Sequence, residues 1–267
     1  MSEAWQHPRQ HQDSNINLVE SSHFQLISDH YRIAARIWNR QIFSNRYRIG
    51  SSMSERGRPR SFDREAALQQ AMEVFWARGY EGTSMADLTA AMGIKAPSLY
   101  AAFGDKAALF REAVAHYRAT DGSSTGKALR EAGSAREAIE GMLMAATSAL
   151  TLHGKPRGCL VVLGTTNYAP SNEAANEFLR GLRLATSKDI RKRLVQGVAN
   201  GELPQGTNVD GLTAYFVTVL HGMSLQARDG ATQKVLAAVV RTAMVIWPAP
   251  QQAESPREPR KTSRRAR

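Results

Sequence analysis

Residues 63–110 read DREAALQQAMEVFWARGYEGTSMADLTAAMGIKAPSLYAAFGDKAALF. Asp63 and Asp105 are typical N-cap residues for the first and fourth of four helix-sized segments, and Gly93 and Gly104 are typical ends for the second and third. Apolar residues recur within the segments at helical spacing, which gives each one an apolar face. The stretch therefore predicts a cluster of four short amphipathic helices.

The second and third segments predict a helix-turn-helix over residues 84–103. Ser84, with Asp87 three residues later, has a weak form of the capping-box pattern at the start of the first helix. A helix-turn-helix needs a short turn that often contains glycine, and Gly93-Ile94-Lys95 supplies one. Pro97 then falls in the first turn of the next helix, where the missing N–H costs little.

The second helix of this motif has one side for the core and another for a groove. At about 100° per residue, Leu99 and Phe103 fall with Ala96 on the side that can be buried. The other side presents Pro97, Ser98, Tyr100 and Ala101. A helix presented in this way is typical of proteins that read the major groove of DNA.

These residues resemble the TetR family of transcriptional repressors. The resemblance rests on the mutual spacing of Phe75, Gly79-Tyr80, Thr83-Ser84, Gly93-Ile94 and the run from Ser98 to Phe110. It implies that the third helix lies in the major groove and that Tyr100 and Lys106 reach phosphates. It also implies that Thr83 donates to a phosphate at the start of the second helix, where free N–H groups already attract anions.

Few side chains of the predicted reading helix suit base edges. Lys95 can meet a guanine edge and Ser98 either base type, while alanine and proline can contact a thymine methyl group. Many members of the family have Ser or Thr where Lys95 stands, and His where Ala102 stands. The predicted DNA-contacting residues are Arg56, Arg58, Arg60, Thr83, Ser84, Lys95, Ala96, Pro97, Ser98, Tyr100, Ala101 and Lys106.

Formal charge is not concentrated in the predicted head. The whole chain carries +11, yet residues 53–121 hold nine Lys and Arg and nine Asp and Glu. A basic arm is predicted at residues 53–60, where Arg58 and its neighbours suit a narrow A·T-rich minor groove. The alternative is a disordered basic leader. A sequence-indifferent architectural DNA-binding protein would need a basic face throughout, so it is the less favoured class.

Both ends of the chain differ in composition from the middle. Residues 1–52 hold six of the ten isoleucines and four of the seven histidines. We expect them to be a non-native or disordered extension, with translation beginning at Met53. Residues 248–267 are rich in proline and basic residues without a periodic apolar pattern, which predicts a disordered tail.

The overall prediction is an all-α fold with two domains. A DNA-binding head occupies residues 61–121, and residues 122–247 are long enough for a ligand-binding and dimerisation domain with its own core. Helices are predicted there at 135–152, 157–168, 173–200, 208–228 and 232–247. The second of these could also be a strand, but it has no partner strand. In the third, Arg183 belongs to a charge run that is predicted to face solvent.

The last two predicted helices have apolar stripes broad enough for an inward face and a partner. Family members use these two helices as half of an intersubunit four-helix bundle, and the resemblance implies the same here. A two-fold dimer also places two heads on successive major grooves of a palindromic operator. The alternative is ordinary monomer core. The predicted interface is Tyr215, Val219, Leu220, Met223, Leu236, Val239, Val240 and Met244.

The resemblance also implies a pocket for a small-molecule inducer among the middle helices, where relatives bind apolar or cationic molecules. Ligand sites are typically apolar cavities with a few polar groups, although the same residues can be plain core. The predicted lining is Met142, Ala146, Cys159, Leu163, Asn167, Phe178, Leu182, Phe216 and His221.

Cys159 is the only cysteine, which excludes an internal disulfide and a Cys-based zinc finger. A buried small side chain is the simplest interpretation. A redox, electrophile or copper-responsive regulator acting through Cys159 is the alternative, although no second sulfur stands in a ligand register.

Enzyme motifs are missing from the sequence: it contains no Walker loop, G-x-S-x-G, H-E-x-x-H or G-x-G-x-x-G. We therefore expect a cytoplasmic, nucleoid-associated regulator without catalytic residues, cofactor, metal or membrane partner. Its expected partners are a DNA operator, a second copy of the chain and an unidentified inducer.

Overall fold

The computed structural model describes residues 62–248, which form ten α-helices and two 3₁₀ turns without any strand. The all-α prediction is confirmed. None of these helices is both long and apolar enough to cross a bilayer. The helices are α1 (Arg64–Arg78), α2 (Met85–Met92), α3 (Ala96–Phe103), α4 (Lys106–Ala119), α5 (Ser123–Glu131), α6 (Ala135–Ala149), α7 (Leu160–Leu163), α8 (Glu173–Ala199), α9 (Val209–Arg228) and α10 (Gln233–Ala243).

Several predictions fall outside the described residues. These are the extension at 1–52, the basic arm with Arg56, Arg58 and Arg60, and the tail beyond Pro248. They stay predictions.

The predicted helix boundaries of the head are confirmed by the local hydrogen bonds at the helix starts. The Asp63 carboxylate accepts from two backbone N–H groups at the start of α1. Ser84 and Asp87 form a complete capping box at the start of α2, and Asp105 caps α4. Gly93 lies in the left-handed region with φ of 63°, a conformation that glycine adopts without a Cβ penalty, and this ends α2.

Aromatic rings between α1 and α4 form the centre of the head. Phe110 meets Phe75 at 5.0 Å and Tyr80 at 4.9 Å between ring centroids, both in edge-to-face geometry. All three side chains are buried. Such pairs contribute roughly 0.5–1.5 kcal/mol beyond their buried area. The rings therefore hold α1 and α4 together and give α2 and α3 a firm surface to pack on.

The segment predicted as a helix at 157–168 is mostly irregular, and only α7 within it is helical. Outside the single turn of α7, several of its backbone carbonyls bond to other parts of the fold. The carbonyl of Gly158 accepts from the Trp76 indole, that of Gly164 from the Tyr80 N–H, and that of Val161 from Arg183. The prediction of a long helix was wrong because it counted only local periodicity.

The remaining helices form a second core. α6, α8, α9 and α10 bury residues such as Leu143, Ile190 and Phe216 against each other. α5 packs beside α6 and was not predicted, because its sequence SSTGKALRE has no side-chain cap and buries only Leu129. The helix predicted at 232–247 ends at Ala243 and continues as a 3₁₀ turn over Met244–Ile246.

We expect Phe110→Ala to lower the free energy of unfolding by about 3–5 kcal/mol, because it opens a cavity between three helices. Urea unfolding at fixed protein concentration measures this change. Tyr100→Ala is the matched control: Tyr100 is 52% exposed, so its loss should stay within about 0.5 kcal/mol. Equal effects of the two substitutions would contradict this packing.

Candidate nucleic-acid interface

The turn between α2 and α3 is closed by backbone hydrogen bonds, which leaves the side chains at the start of α3 free of this task. The N–H of Ile94 donates to the Thr89 carbonyl at 3.2 Å, which closes the turn with backbone atoms alone. Lys95 is the N-cap of α3 but makes no side-chain capping bond. Its exposed side chain also has no ion-pair partner within residues 62–248. The ammonium group of Lys95 is therefore available to an outside partner.

One face of α3 is exposed and the other is buried. Leu99 and Phe103 are buried, as predicted. Ala96, which the helical spacing placed on that side, is exposed because it is the first residue of the helix. Ser98 is half-buried, and the rest of the predicted reading face is exposed, comprising Pro97, Tyr100 and Ala101.

Two residues predicted to contact DNA, Thr83 and Ser84, make hydrogen bonds within the head, and only Thr83 is buried. Thr83 is 1% exposed, and its hydroxyl donates to the carbonyl of Gly79 at 2.7 Å. A hydroxyl has one hydrogen, so this bond competes with donation to a phosphate. Ser84 donates its hydroxyl and its backbone N–H to the Asp87 carboxylate, at 2.6 and 2.9 Å. Both residues therefore stabilise the start of α2, and their predicted contacts with DNA stay predictions.

The carboxylate of Asp87 is strongly stabilised in its charged form. Hydrogen bonds from the Ser84 hydroxyl and N–H, followed by one from Arg78, lower the pKa of Asp87 to about 2. Asp87 therefore stays negative at any physiological pH. Its nearest cation is Arg78, at 2.6 Å. Because this pair is neutral overall, it adds no net charge beside Lys95 and Lys106, the two lysines predicted to contact DNA.

Lys106 lies at the start of α4 with its ammonium 4.3 Å from the centre of the Tyr80 ring. A cation over an aromatic face is attracted by the ring's quadrupole. The half-buried position lowers the pKa of Lys106, with Glu81 acting in the opposite direction. The ring therefore fixes where this positive charge stands beside α3.

A cavity of about 200 Å³ lies in the second domain. Five of the nine predicted residues line it: Met142, Ala146, Cys159, Leu182 and His221. The lining also includes residues from α4 and α5 and the half-buried Arg183, which periodicity had placed on a solvated face. No sequence signal marked α5, so its share of the cavity was missed.

Four predicted lining residues lie elsewhere. Phe216 is fully buried in the second core, with its ring 6.1 Å from that of Trp247. Phe178 packs against the head core, and Asn167 is exposed. Leu163 lies against the backbone of Gly158. These corrections share one cause, because apolar periodicity does not distinguish core from cavity wall.

Half of the predicted dimer interface is core of a single chain. α9 and α10 turn these side chains inward, where a partner could bury no more of their surface; they are Met223, Leu236, Val240 and Met244. Tyr215, Val219 and Leu220 are half-buried, and Leu220 lines the cavity. Val239 is 38% exposed, and it is accompanied by apolar residues not predicted: Leu225, Val235, Val245 and Ile246.

The cavity wall is bonded directly to the head. Segment 158–164, whose residues Cys159, Val161 and Val162 line the cavity, is held to the end of α1 at both of its ends. The Trp76 indole donates to the Gly158 carbonyl and the Tyr80 N–H to the Gly164 carbonyl, each at 2.8 Å. A change in the cavity can therefore reach α1 through two hydrogen bonds.

Arg228 and Glu81 add bonds between the same two regions. The Arg228 guanidinium donates to the carbonyls of Trp76 and Ala77 at 2.9 and 3.1 Å, and to that of Arg157 at 2.9 Å. The Glu81 carboxylate accepts from the Ala169 N–H at 2.7 Å. The end of α1 is thus tied to several parts of the second domain.

Cys159 is half-buried at the cavity, and the pKa of the nearby Tyr117 hydroxyl is raised by burial and by its contact with Cys159. No cluster of three or more His, Cys, Asp or Glu side chains suited to a metal occurs within residues 62–248. The copper-responsive alternative therefore gains no support from the geometry.

Comparison with known sequences supports the assignment of the head. The profile of a family described as bacterial regulatory proteins, tetR family, matches residues 67–113. HTH-type transcriptional repressor ComR of Escherichia coli (strain K12) is 34% identical over 194 residues, which cover 72% of this chain and 92% of the relative. HTH-type transcriptional repressor BdcR of the same organism is 29% identical over 188 residues, covering 70% and 90%.

Comparison with solved structures gives the same result. A cysteine mutant of the TetR family transcriptional regulator CifR, complexed with 26-bp double-strand operator DNA, is 46% identical to this chain. The match covers 72% of this chain and 100% of that one, with a TM-score of 0.69. A TetR transcriptional regulator from Chloroflexus aurantiacus, at 22% identity and a TM-score of 0.61 over 68% and 92%, shares the fold.

Proposed function

The chain belongs to the TetR family of bacterial regulatory proteins, and we propose that it is a repressor that binds a palindromic DNA operator as a homodimer. One observation carries the proposal: α3 presents an exposed face on a helix-turn-helix in a chain 46% identical to a regulator solved on operator DNA. An inducer bound in the cavity releases the DNA. The protein acts at the chromosome in the cytoplasm, and no catalytic step is part of this role.

The contacts with DNA divide into phosphate contacts and base contacts. Tyr100 on α3 and Lys106 at the start of α4 bind phosphates, which sets the register of α3 in the groove. Lys95 and Ser98 read base edges, and the alanines and proline of the same face meet thymine methyl groups. The arm with Arg58 enters the adjacent minor groove. Thr83 and Ser84 support this surface by holding the start of α2.

We expect the protein to prefer a palindromic operator, selected from random DNA, over scrambled DNA by about a thousandfold or more at two salt concentrations. Tyr100→Phe should weaken operator binding by about 1.5–3 kcal/mol, because it removes a hydrogen bond to a charged phosphate. Fluorescence anisotropy measures both affinities. The control is Tyr168→Phe, a residue 41% exposed outside the head, which should change nothing.

A preference ratio near one at both salt concentrations would refute the repressor assignment. Operator affinity unchanged by Tyr100→Phe would instead refute only the role given to Tyr100.

The dimer forms through the apolar side chains that α9, α10 and the following turn leave exposed. On α10 and this turn, Val235, Val239 and Ile246 follow one another at spacings of four and seven residues, which places them on one face. Burying apolar surface contributes about 25 cal/mol per Å². A two-fold axis beside this face brings the same patch of both chains together.

We expect Val239→Glu to weaken the dimer at least about a hundredfold, because the two-fold axis places a buried, unpaired charge on each side of the interface. Sedimentation velocity across a dilution series measures the dissociation constant. Val195→Glu on α8 is the control, since Val195 is 42% exposed but lies outside this face. Equal behaviour of the two variants would place the interface elsewhere.

Induction acts through segment 158–164. A ligand in the cavity pushes on Cys159 and Val161, and the segment carries the shift to Trp76 and Tyr80 at the end of α1. The ligand favours a second head position that fits the operator poorly. The equilibrium between the two head positions shifts by the difference in the ligand's affinity for them.

We expect Ala146→Leu to mimic the ligand, because Ala146 is fully buried at the cavity and extra methyl groups there fill the space. Operator affinity should fall about tenfold. Adding Trp76→Phe, which keeps an aromatic ring but removes the bond to Gly158, should reduce that fall to about threefold or less. The control is Ala185→Leu on the exposed side of α8.

Thermal unfolding checks that each of these variants is folded. Full operator affinity in folded Ala146→Leu would contradict coupling from the cavity, and an undiminished loss in the double variant would contradict the route through Trp76.

A further inference from the structure

The cavity has an apolar part whose size limits its occupant. Leu129, Met142, Ala146 and Leu150 line this part and are all buried. In another protein, an apolar cavity of about 150 Å³ binds benzene. A cavity of about 200 Å³ therefore accepts a six-membered ring or a short chain with one small substituent.

The polar part of the cavity carries an excess of positive charge. Arg118, Arg130 and Arg183 line it, against the single carboxylate of Asp189, and the imidazole of His221 lies in the same lining. Arg118, Arg130 and Asp189 are exposed to solvent, which screens their effect on a bound molecule. Arg183 and His221 are half-buried and act on the cavity interior.

Arg183 has donors to spare. Its guanidinium donates to the Val161 carbonyl at 3.0 Å and lies at a marginal 3.5 Å from the Asn176 side-chain oxygen. Arg180, one turn earlier, pairs with Glu177 at 3.0 Å, whereas Arg183 has no carboxylate within 4.0 Å in residues 62–248. Arginine has five N–H donors in a fork that matches a carboxylate.

His221 reaches the same place from α9. Burial, followed by the positive charge of Arg183, lowers its pKa, so its imidazole is neutral at pH 7. A neutral imidazole still has one N–H to donate. Across residues 62–248 no hydrogen bond partner of this side chain is present. An anion between the two side chains would satisfy donors of both and offset the burial of the Arg183 charge.

We propose that the cavity binds a small organic monocarboxylate, with its carboxylate held between Arg183 and His221 and its apolar body against α6. The inference rests on the proposed function, since it names the chemical class of the inducer. The resemblance implied an apolar or cationic ligand, whereas the half-buried positive charge of Arg183 in this cavity favours an anion over a cation.

The same arginine links capture of the carboxylate to the head. Arg183 holds the Val161 carbonyl of segment 158–164, whose two ends bond to α1. A carboxylate that takes the spare donors of Arg183 fixes the position of the guanidinium that holds Val161. Binding therefore acts on the middle of the segment that positions Trp76.

The test compares the binding of similarly shaped anionic, neutral and cationic molecules to the full-length protein without DNA. Phenylacetate, phenylacetamide and 2-phenylethylammonium are titrated by isothermal calorimetry, and hexanoate is compared with hexanamide. We expect at least one acid to bind about tenfold or more tightly than its amide, and the ammonium compound not to bind. Arg183→Gln and His221→Gln should each remove this advantage while amide binding stays within about twofold.

Arg180→Gln is the matched control, because Arg180 lies one turn earlier on α8 with its side chain 57% exposed. It should keep the preference of wild type. Arg183→Lys keeps the charge but loses the forked guanidinium, so it should retain only part of the preference for the acid over the amide. It replaces Arg183→Gln if thermal unfolding shows that Arg183→Gln is not folded.

The proposal is overturned if both acids bind no better than their amides up to about 10 mM, or if folded Arg183 variants keep the full preference. Operator binding by the same samples is measured separately. Intact operator binding with no acid preference refutes only the ligand class, whereas acid binding without operator binding refutes the repressor.

Discussion

The position of the DNA-binding head depends on two hydrogen bonds at the end of α1. The Trp76 indole and the Tyr80 N–H donate to the carbonyls of Gly158 and Gly164, and the first of these bonds is buried. A buried donor without an acceptor costs about 1–3 kcal/mol, so α1 and segment 158–164 stay together or move together. The aromatic contacts of Phe110 then extend this constraint from α1 to α4, and α3 packs on the result.

The surface proposed to bind DNA has few charged side chains and few side chains that can read base edges. The start of α2 uses Thr83, Ser84 and Asp87 for its own stability, which leaves Lys95, Lys106 and Tyr100 for the partner. Non-specific affinity grows with the number of phosphates that a protein neutralises. Within residues 62–248 the reading face has few cations, so we expect affinity to come also from the predicted basic arm and from two copies at a fixed spacing. The proposed dimer face and the reading face lie in separate parts of the chain. The distance between the two heads of a dimer therefore depends on the domain that contains the cavity.

The cavity is placed where a small change can alter that spacing. Its wall includes segment 158–164, the end of α4 and the middle of α8, and Arg183 joins the first of these to the third. A half-buried guanidinium without a nearby carboxylate is an uncommon arrangement that burial makes costly. In the proposed mechanism a bound carboxylate supplies the missing anion and offsets this cost, so ligand capture and head release share one side chain.

The sequence by itself determined the local structure: Asp63, Ser84 and Asp105 cap helices where expected, Gly93 ends α2, and Leu99 and Phe103 face inward. These signals act within one or two turns of helix, so they can be predicted from the sequence without knowledge of the tertiary structure. Only the tertiary structure decided that 157–168 is largely irregular, that Met223 and Val240 are core and Val239 is exposed, and that Arg183 is half-buried. Each of those outcomes depends on partners far along the chain, such as Trp76 and Gly158, which are 82 positions apart, and local periodicity does not reveal such partners.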